Sequence, residues 1–187
     1  MNGFILNLQY PKSLKEADAL HKYWLRQNID LECISNYEAL AIIGKDNNIG
    51  YWNAPYSAMP GDICFFACAK SAQSYISALK HEAELVNRYD LLALVQASSG
   101  FYKHLGGCIF GIAHIAEKPI LEPGKSRVSP GWAKMRDYHS ISSIKIANLE
   151  FLTLNNFGGI TKLNNKAFKQ LCLEIGINET EKKYQNE

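Results

Sequence analysis

Apolar residues along this chain follow two rhythms. Short unbroken runs bounded by turn residues predict buried strands at 4–8 (Phe4, Ile5, Leu6, Leu8), 63–67 and 108–115. Strand character returns over 141–151 and continues through Thr153 and Leu154. Apolar positions three and four apart predict helices instead. One runs from Ser13 to about Asn28, with Leu14, Ala17, Leu20, Tyr23, Trp24 and Leu25 on one side, so that Trp24 is a packing residue. A second spans 83–94, and the last carries Phe168, Leu171, Cys172 and Ile175. Ser13 followed by Glu16 is a capping box. Asn164 or Asn165 caps the last helix and Gly176 stops it. Residues 31–34 and 39–43 suit either strands or short helical pieces, and 71–80 opens as a loop or a turn of helix.

The polar intervals carry the remaining signals. Residues 44–50 form a loop by composition. An aromatic-rich loop with Tyr51, Trp52 and Tyr56 follows and runs into the turn Pro60-Gly61-Asp62, directly before the strand at 63–67. Gly111 inside the strand at 108–115 predicts a bend or a close backbone approach. Residues 122–140 are a long polar loop with Pro123, Gly124, Pro130 and Gly131 around Trp132, and loops of that length are usually functional or mobile. Residues 157–160 are a turn. No repeat and no boundary stands out. Residues 1–178 form one domain, followed by a charged tail at 179–187. Strand, helix, several short strands and a closing helix predict an α+β domain on a small, mostly antiparallel barrel.

Composition narrows the function classes. The chain has 187 residues, 47% of them hydrophobic, which supports a real core and excludes disorder. A net charge of +2 is only mildly basic and does not by itself announce a nucleic-acid footprint. Five cysteines are an odd number at spacings unlike a disulfide framework or a zinc site. Cys64 and Cys68 share one face of a strand and pack as small apolar groups. No charged and apolar leader opens the chain, and no apolar run approaches a membrane span, so the expected setting is the reducing cytoplasm. The five histidines are scattered, and no motif calls for a metal or a cofactor. Asp137, His139 and Ser140 are acid, base and nucleophile types, but near-adjacent residues do not converge on one substrate atom as a triad.

Three stretches together resemble the EVE domain, a branch of the PUA-like superfamily with ASCH and YTH relatives. The first runs from Tyr51-Trp52-Asn53-Ala54-Pro55 through Met59-Pro60-Gly61-Asp62 into Ile63-Cys64-Phe65-Phe66. The second is Gly107-Cys108-Ile109-Phe110-Gly111-Ile112-Ala113-His114-Ile115, and the third is Gly159-Ile160-Thr161-Lys162-Leu163 through Phe168. Order and spacing carry the likeness, which spans roughly residues 4–175. It implies a PUA-like pseudobarrel, a small mixed β-barrel flanked by helices, that accepts a modified base in flipped or single-stranded form. In that reading Trp52 stacks on the base and Asn53 reads its edge. Phe66 lies on the strand of the pocket floor, and Gln9 ends the first strand beside it. Two departures stand out. Ala67-Cys68-Ala69 replaces the family's polar pair, with Lys70 as the first polar side chain, and the segment 70–106 is more helical.

The expected function is a non-enzymatic domain that binds a modified nucleobase in DNA or RNA through an aromatic pocket. Tyr51, Trp52, Asn53, Phe66, Gln9, Lys70 and Trp132 would contact the base. Lys125, Arg127, Lys134 and Arg136 around Trp132 would follow the phosphate backbone. The expected partner is nucleic acid, with a separate effector acting in trans because no nuclease motif is present. A free nucleotide or nucleobase-like small molecule, serving regulation or host–phage conflict, is the alternative, since it needs no basic track. A third reading is a nucleoside- or RNA-processing hydrolase, for which Lys70 with Glu82 or Glu84 is the one candidate pair.

Overall fold

The computed structural model describes residues 1–8, 10–26, 50–68, 70–121, 130–152 and 159–177. Gln9, Lys125, Arg127, the tail at 179–187, the segments 31–34, 39–43 and 44–49, and Thr153 and Leu154 therefore lie outside the described residues. So do the side chains of Trp24, Tyr51, Trp52, Asn53 and Trp132, of which only the backbone is described. The strands are β1 (Gly3–Leu8), β2 (Gly50–Pro55), β3 (Ile63–Cys68), β4 (Cys108–Ile115), β5 (Pro130–Lys145) and β6 (Ile160–Lys162). Among the described residues the helices are α1 (Leu14–Arg26), α2 (Ala72–Leu85), α3 (Tyr89–Leu105) and α4 (Asn165–Ile175), with a 3-10 turn at Ile146–Asn148.

The strands form one six-stranded mixed sheet in the order β2-β5-β4-β3-β1-β6. This corrects the expected barrel: the order has two ends, β2 and β6, and they do not pair with each other among the described residues. The physical reason is visible in β1 and β3. They run parallel, with Gly3 beside Ile63 and Leu8 beside Cys68. Parallel neighbours need a crossover and are covered on both faces, so their apolar runs are unbroken rather than alternating. Every residue of β3 is buried. Phe4, Leu6, Cys64, Phe66 and Cys68 belong to one core, while Ile5, Ile63, Phe65 and Ala67 belong to the other. Phe168, Leu171 and Cys172 of α4 close the second core, with the Phe168 ring 6.2 Å from Phe65. Leu105 at the end of α3 packs into the first core.

Local signals explain the helix ends. Glu16 N–H donates to Ser13 Oγ at 3.3 Å, and the Glu16 carboxylate accepts from Lys12 N–H at 2.9 Å, one residue before the usual capping-box partner. Asn164 Oδ1 accepts from Ala167 N–H at 2.8 Å. Gly176, at φ 76°, ends α4, and Ile177 N–H returns to Cys172 O at 2.8 Å.

The helix expected at 83–94 is two helices. Asn87 adopts φ 54° between them, a left-handed conformation that suits Asn better than most residues. Leu85, Val86 and Tyr89, which supplied the apparent periodicity, are exposed at this corner. Arg88 holds the corner by bonding Asp90 and reaching Asp18 of α1 at 2.6 Å, and Asp18 also meets Lys22. The Arg88 guanidinium holds the Asp90 carboxyl below its usual range, and Arg88 with Lys22 does the same to Asp18.

Candidate functional site

The segment expected as an aromatic loop is strand β2, because it finds a partner in β5. Likewise, the polar loop expected over 122–140 becomes strand from Pro130 onward. The β2–β5 ladder is antiparallel. It sets Tyr51 opposite Lys134, Trp52 opposite Ala133, Asn53 opposite Trp132 and Ala54 opposite Gly131. Opposite Cα atoms in such a ladder stand about 4.5–5.5 Å apart. Two tryptophans separated by 79 intervening residues therefore occupy neighbouring register positions, but on opposite faces of the ribbon: Trp132 shares a face with Asn53 and Tyr51, and Trp52 with Ala133 and Ala54. Ala54, Ala133 and Met135 are buried in the first core and fix this ribbon to the body of the sheet.

β5 changes partner along its length. Residues 130–135 pair with β2, and 135–145 pair with β4. The second half is irregular: the register jumps between Ile109 and Gly111 and again between Ile112 and His114. At the second jump three β5 steps, from Arg136 to His139, face two steps of β4, and Asp137 takes φ 55°. Such a bulge bends a strand and re-aims a side chain. Here it lays Tyr138 over Gly111. A Cβ on Gly111 would lie 2.8 Å from both Cε2 and Oη of Tyr138. The expected close approach at Gly111 is thus an aromatic ring. Tyr138 also meets Phe66 edge-on, with ring centres 5.5 Å apart. Phe66 itself is fully buried in the first core beneath this ring.

Asp62 of the Gly-Asp turn is a structural anchor. It is buried and accepts from Asn2 N–H at 2.7 Å and from Met59 N–H at 2.9 Å. The turn is tied to the end of β4 through Gly61 N–H to Ile115 O and Ile115 N–H to Asp62 O.

The cations expected to follow a phosphate backbone are already met within the chain where they are described. Lys134 Nζ lies 2.8 Å from Glu117 Oε1, and Arg136 Nε lies 3.5 Å from Asp137 Oδ2. His114 Nδ1 approaches the same Asp137 oxygen at 3.7 Å. Lys70 is elsewhere. It is exposed just past the end of β3, beside Gly107, while the ribbon begins at the far end of β5. Glu82 and Glu84 sit in the last turns of α2. At about 1.5 Å of rise per residue they are separated from its start by about 15 Å or more, so Lys70 and these carboxylates do not form a catalytic pair.

Cys64, Cys68, Cys108 and Cys172 are buried free thiols, and burial pushes the first three upward in pKa. Tyr102, edge-on to Tyr10 at 4.7 Å, is raised by burial as well. These groups are packing elements and not nucleophiles. Among the described residues no three His, Cys, Asp or Glu side chains stand together as a metal site, and no helix is long and apolar enough to cross a membrane.

Sequence reasoning placed Trp52 and Trp132 in separate loops and gave Tyr138 no packing role. The signal for Tyr138 was Gly111 itself, since a glycine inside a buried strand asks for a large neighbour.

No protein-family profile matches the chain, and no curated protein matches it. Two solved structures follow its course at low similarity. Protein Atu2648 from Agrobacterium tumefaciens shares 8% identity over 95% of this chain and 94% of its own, with a TM-score of 0.46. Rpa0253 from Rhodopseudomonas palustris shares 10% identity over 96% of each chain, with a TM-score of 0.44.

Proposed function

We propose that the protein is a binding domain that recognises a modified nucleobase in DNA or RNA, presented single-stranded or flipped from a duplex. What supports this reading is the β2–β5 register, which gathers Tyr51, Trp52, Asn53 and Trp132 onto one two-stranded ribbon. Aromatic side chains provide stacking platforms for bases, and an amide offers both a donor and an acceptor to a base edge. The order of motifs that resembles the EVE domain points the same way. In this reading Trp132 and Tyr51, which share a ribbon face with Asn53, supply the stacking surface and Asn53 reads the edge, while Trp52 belongs to the opposite face with Ala133.

Each stacking residue is worth about 1–3 kcal/mol per base, or roughly a 5- to 150-fold change in affinity. The test is competition by fluorescence anisotropy between short strands that differ only by methylation of one cytosine or adenine. Preference for one modified strand, with affinity lost in Trp132→Ala and Tyr51→Ala but not in Trp24→Phe, is the expected outcome. Equal affinity for every strand in wild type and variants would refute the reading.

A further inference from the structure

Two sets of basic side chains differ in their ion pairing. Lys134 and Arg136 on β5 have carboxylates at 2.8 Å and 3.5 Å. Lys12, Lys70 and Lys145 are exposed, and none of their side-chain ammonium groups pairs with a carboxylate among the described residues.

The fold also gathers these three. Leu8 and Cys68 are the paired ends of the parallel strands β1 and β3, and Lys12 and Lys70 follow just after them. A Cβ on Gly107 would lie 3.7 Å from the Cβ of Lys70. Lys145 stands opposite Cys108, and the next residue, Ile146, donates its N–H to Gly107 O at 2.9 Å. Lys70 and Lys145 thus flank the same glycine turn. Lys12 Nζ sits 5.9 Å from the ring centre of Tyr75, near the start of the helix that Lys70 precedes. A cation over a ring keeps its charge available to a second partner. Three lysines therefore form an arc around the carboxyl ends of β1 and β3, a place where ligands commonly bind in sheets with parallel strands.

We infer that the phosphodiester backbone of a bound single strand runs over Lys12, Lys70 and Lys145, and not over Lys134 and Arg136. This inference rests on the nucleobase reading above and adds where the polymer leaves the base-binding ribbon. Trp132 and Lys145 lie near opposite ends of β5. Thirteen residue steps of about 3.3 Å limit their separation to about 43 Å, and the bulges shorten it. A strand of several nucleotides reaches both places, whereas a single nucleotide reaches one.

The test is the salt dependence of binding for a labelled single strand of about twelve nucleotides, a length within the site sizes of single-strand binders. Each phosphate contact to a single strand contributes about 0.7 to the slope of log affinity against log salt. The variant carrying Lys12→Ala, Lys70→Ala and Lys145→Ala is expected to lose about 2 from that slope. Lys169→Ala, on the far helix α4, is expected to leave it unchanged. Binding of a mononucleotide is expected to be the same in the triple variant and in wild type. An unchanged slope in the triple variant, or a slope lowered instead by Lys134→Ala with Arg136→Ala, overturns the inference while strand binding that needs Trp132 leaves the nucleobase reading standing. Anionic phospholipid vesicles that bind through the same lysines, while the strand ignores them, also overturn it. No binding of any strand overturns both.

Discussion

Gly111→Ala tests whether the packing of Tyr138 against β4 is as close as the structure has it. The added methyl would lie 2.8 Å from Cε2 and Oη of the ring. Carbon contacts are optimal at about 3.5–4.0 Å, so the overlap is about 0.7 Å or more. Two responses are open. If the ring stays, overpacking costs about 1–3 kcal/mol. If it swings away, the edge contact with Phe66 is lost, at about 0.5–1.5 kcal/mol beyond the buried area. Replacing glycine returns about 0.4–1 kcal/mol through the unfolded chain. The net loss is about 1–2 kcal/mol, or roughly 2–8 °C in Tm for a chain of this size. Urea unfolding followed by circular dichroism measures it, and a double-mutant cycle identifies the cause. In a Tyr138→Ala background the methyl meets no ring, so Gly111→Ala becomes neutral or slightly stabilising, with a coupling energy of about 1 kcal/mol or more. The same cost in both backgrounds would refute the contact, and with it the account of why a glycine interrupts β4.

Other outcomes follow from single contacts. Asp62→Ala leaves the N–H groups of Asn2 and Met59 without their acceptor, and a loss of about 2–4 kcal/mol is expected in urea unfolding; a loss under about 0.5 kcal/mol would contradict the anchoring role. Asn164→Ala removes the cap of α4 and is expected to cost about 1 kcal/mol, read in the same assay. Asp18 and Asp90 have depressed pKa values, so their pairing with Arg88 stabilises the fold above the unfolded carboxylate range and is lost as pH falls below about 4. The difference in Tm between wild type and Arg88→Met should therefore shrink on acidification, and a constant difference from pH 7 to 3 would contradict it. In a Cys33→Ser background the four buried thiols should react with Ellman's reagent only after denaturation, and fast reaction of the native protein would show that they are accessible.

Much of the scaffold was legible because burial on both faces leaves a plain mark. The runs Phe4-Ile5-Leu6 and Ile63-Cys64-Phe65-Phe66 are apolar without alternation, and β1 and β3 are where they predict. Capping at Ser13 and Asn164 is local chemistry and was read directly. The ribbon was hidden for a different reason. Gly50, Asn53 and Pro55 carry turn propensity, but β2 is an end strand with a single partner in the sheet order, where proline at the strand end is tolerated. In β5 the buried Ala133 and Met135 alternate with Lys134 and Arg136, a strand signal masked by Pro130 and Gly131 just before it. The pairing that brings Trp52 beside Trp132 is long-range, and no local pattern encodes it.

The central claim is that Trp132, on the ribbon face it shares with Tyr51 and Asn53, meets the base. Trp24→Phe leaves Trp52 and Trp132 as the only indoles. Its fluorescence is to be titrated with a single strand carrying one methylated base and with the unmethylated counterpart, and again after Trp52→Phe or Trp132→Phe. The account predicts quenching that is stronger for one methylated strand and is reduced more by Trp132→Phe than by Trp52→Phe. Quenching that ignores methylation, or that survives unchanged in both variants, would contradict it.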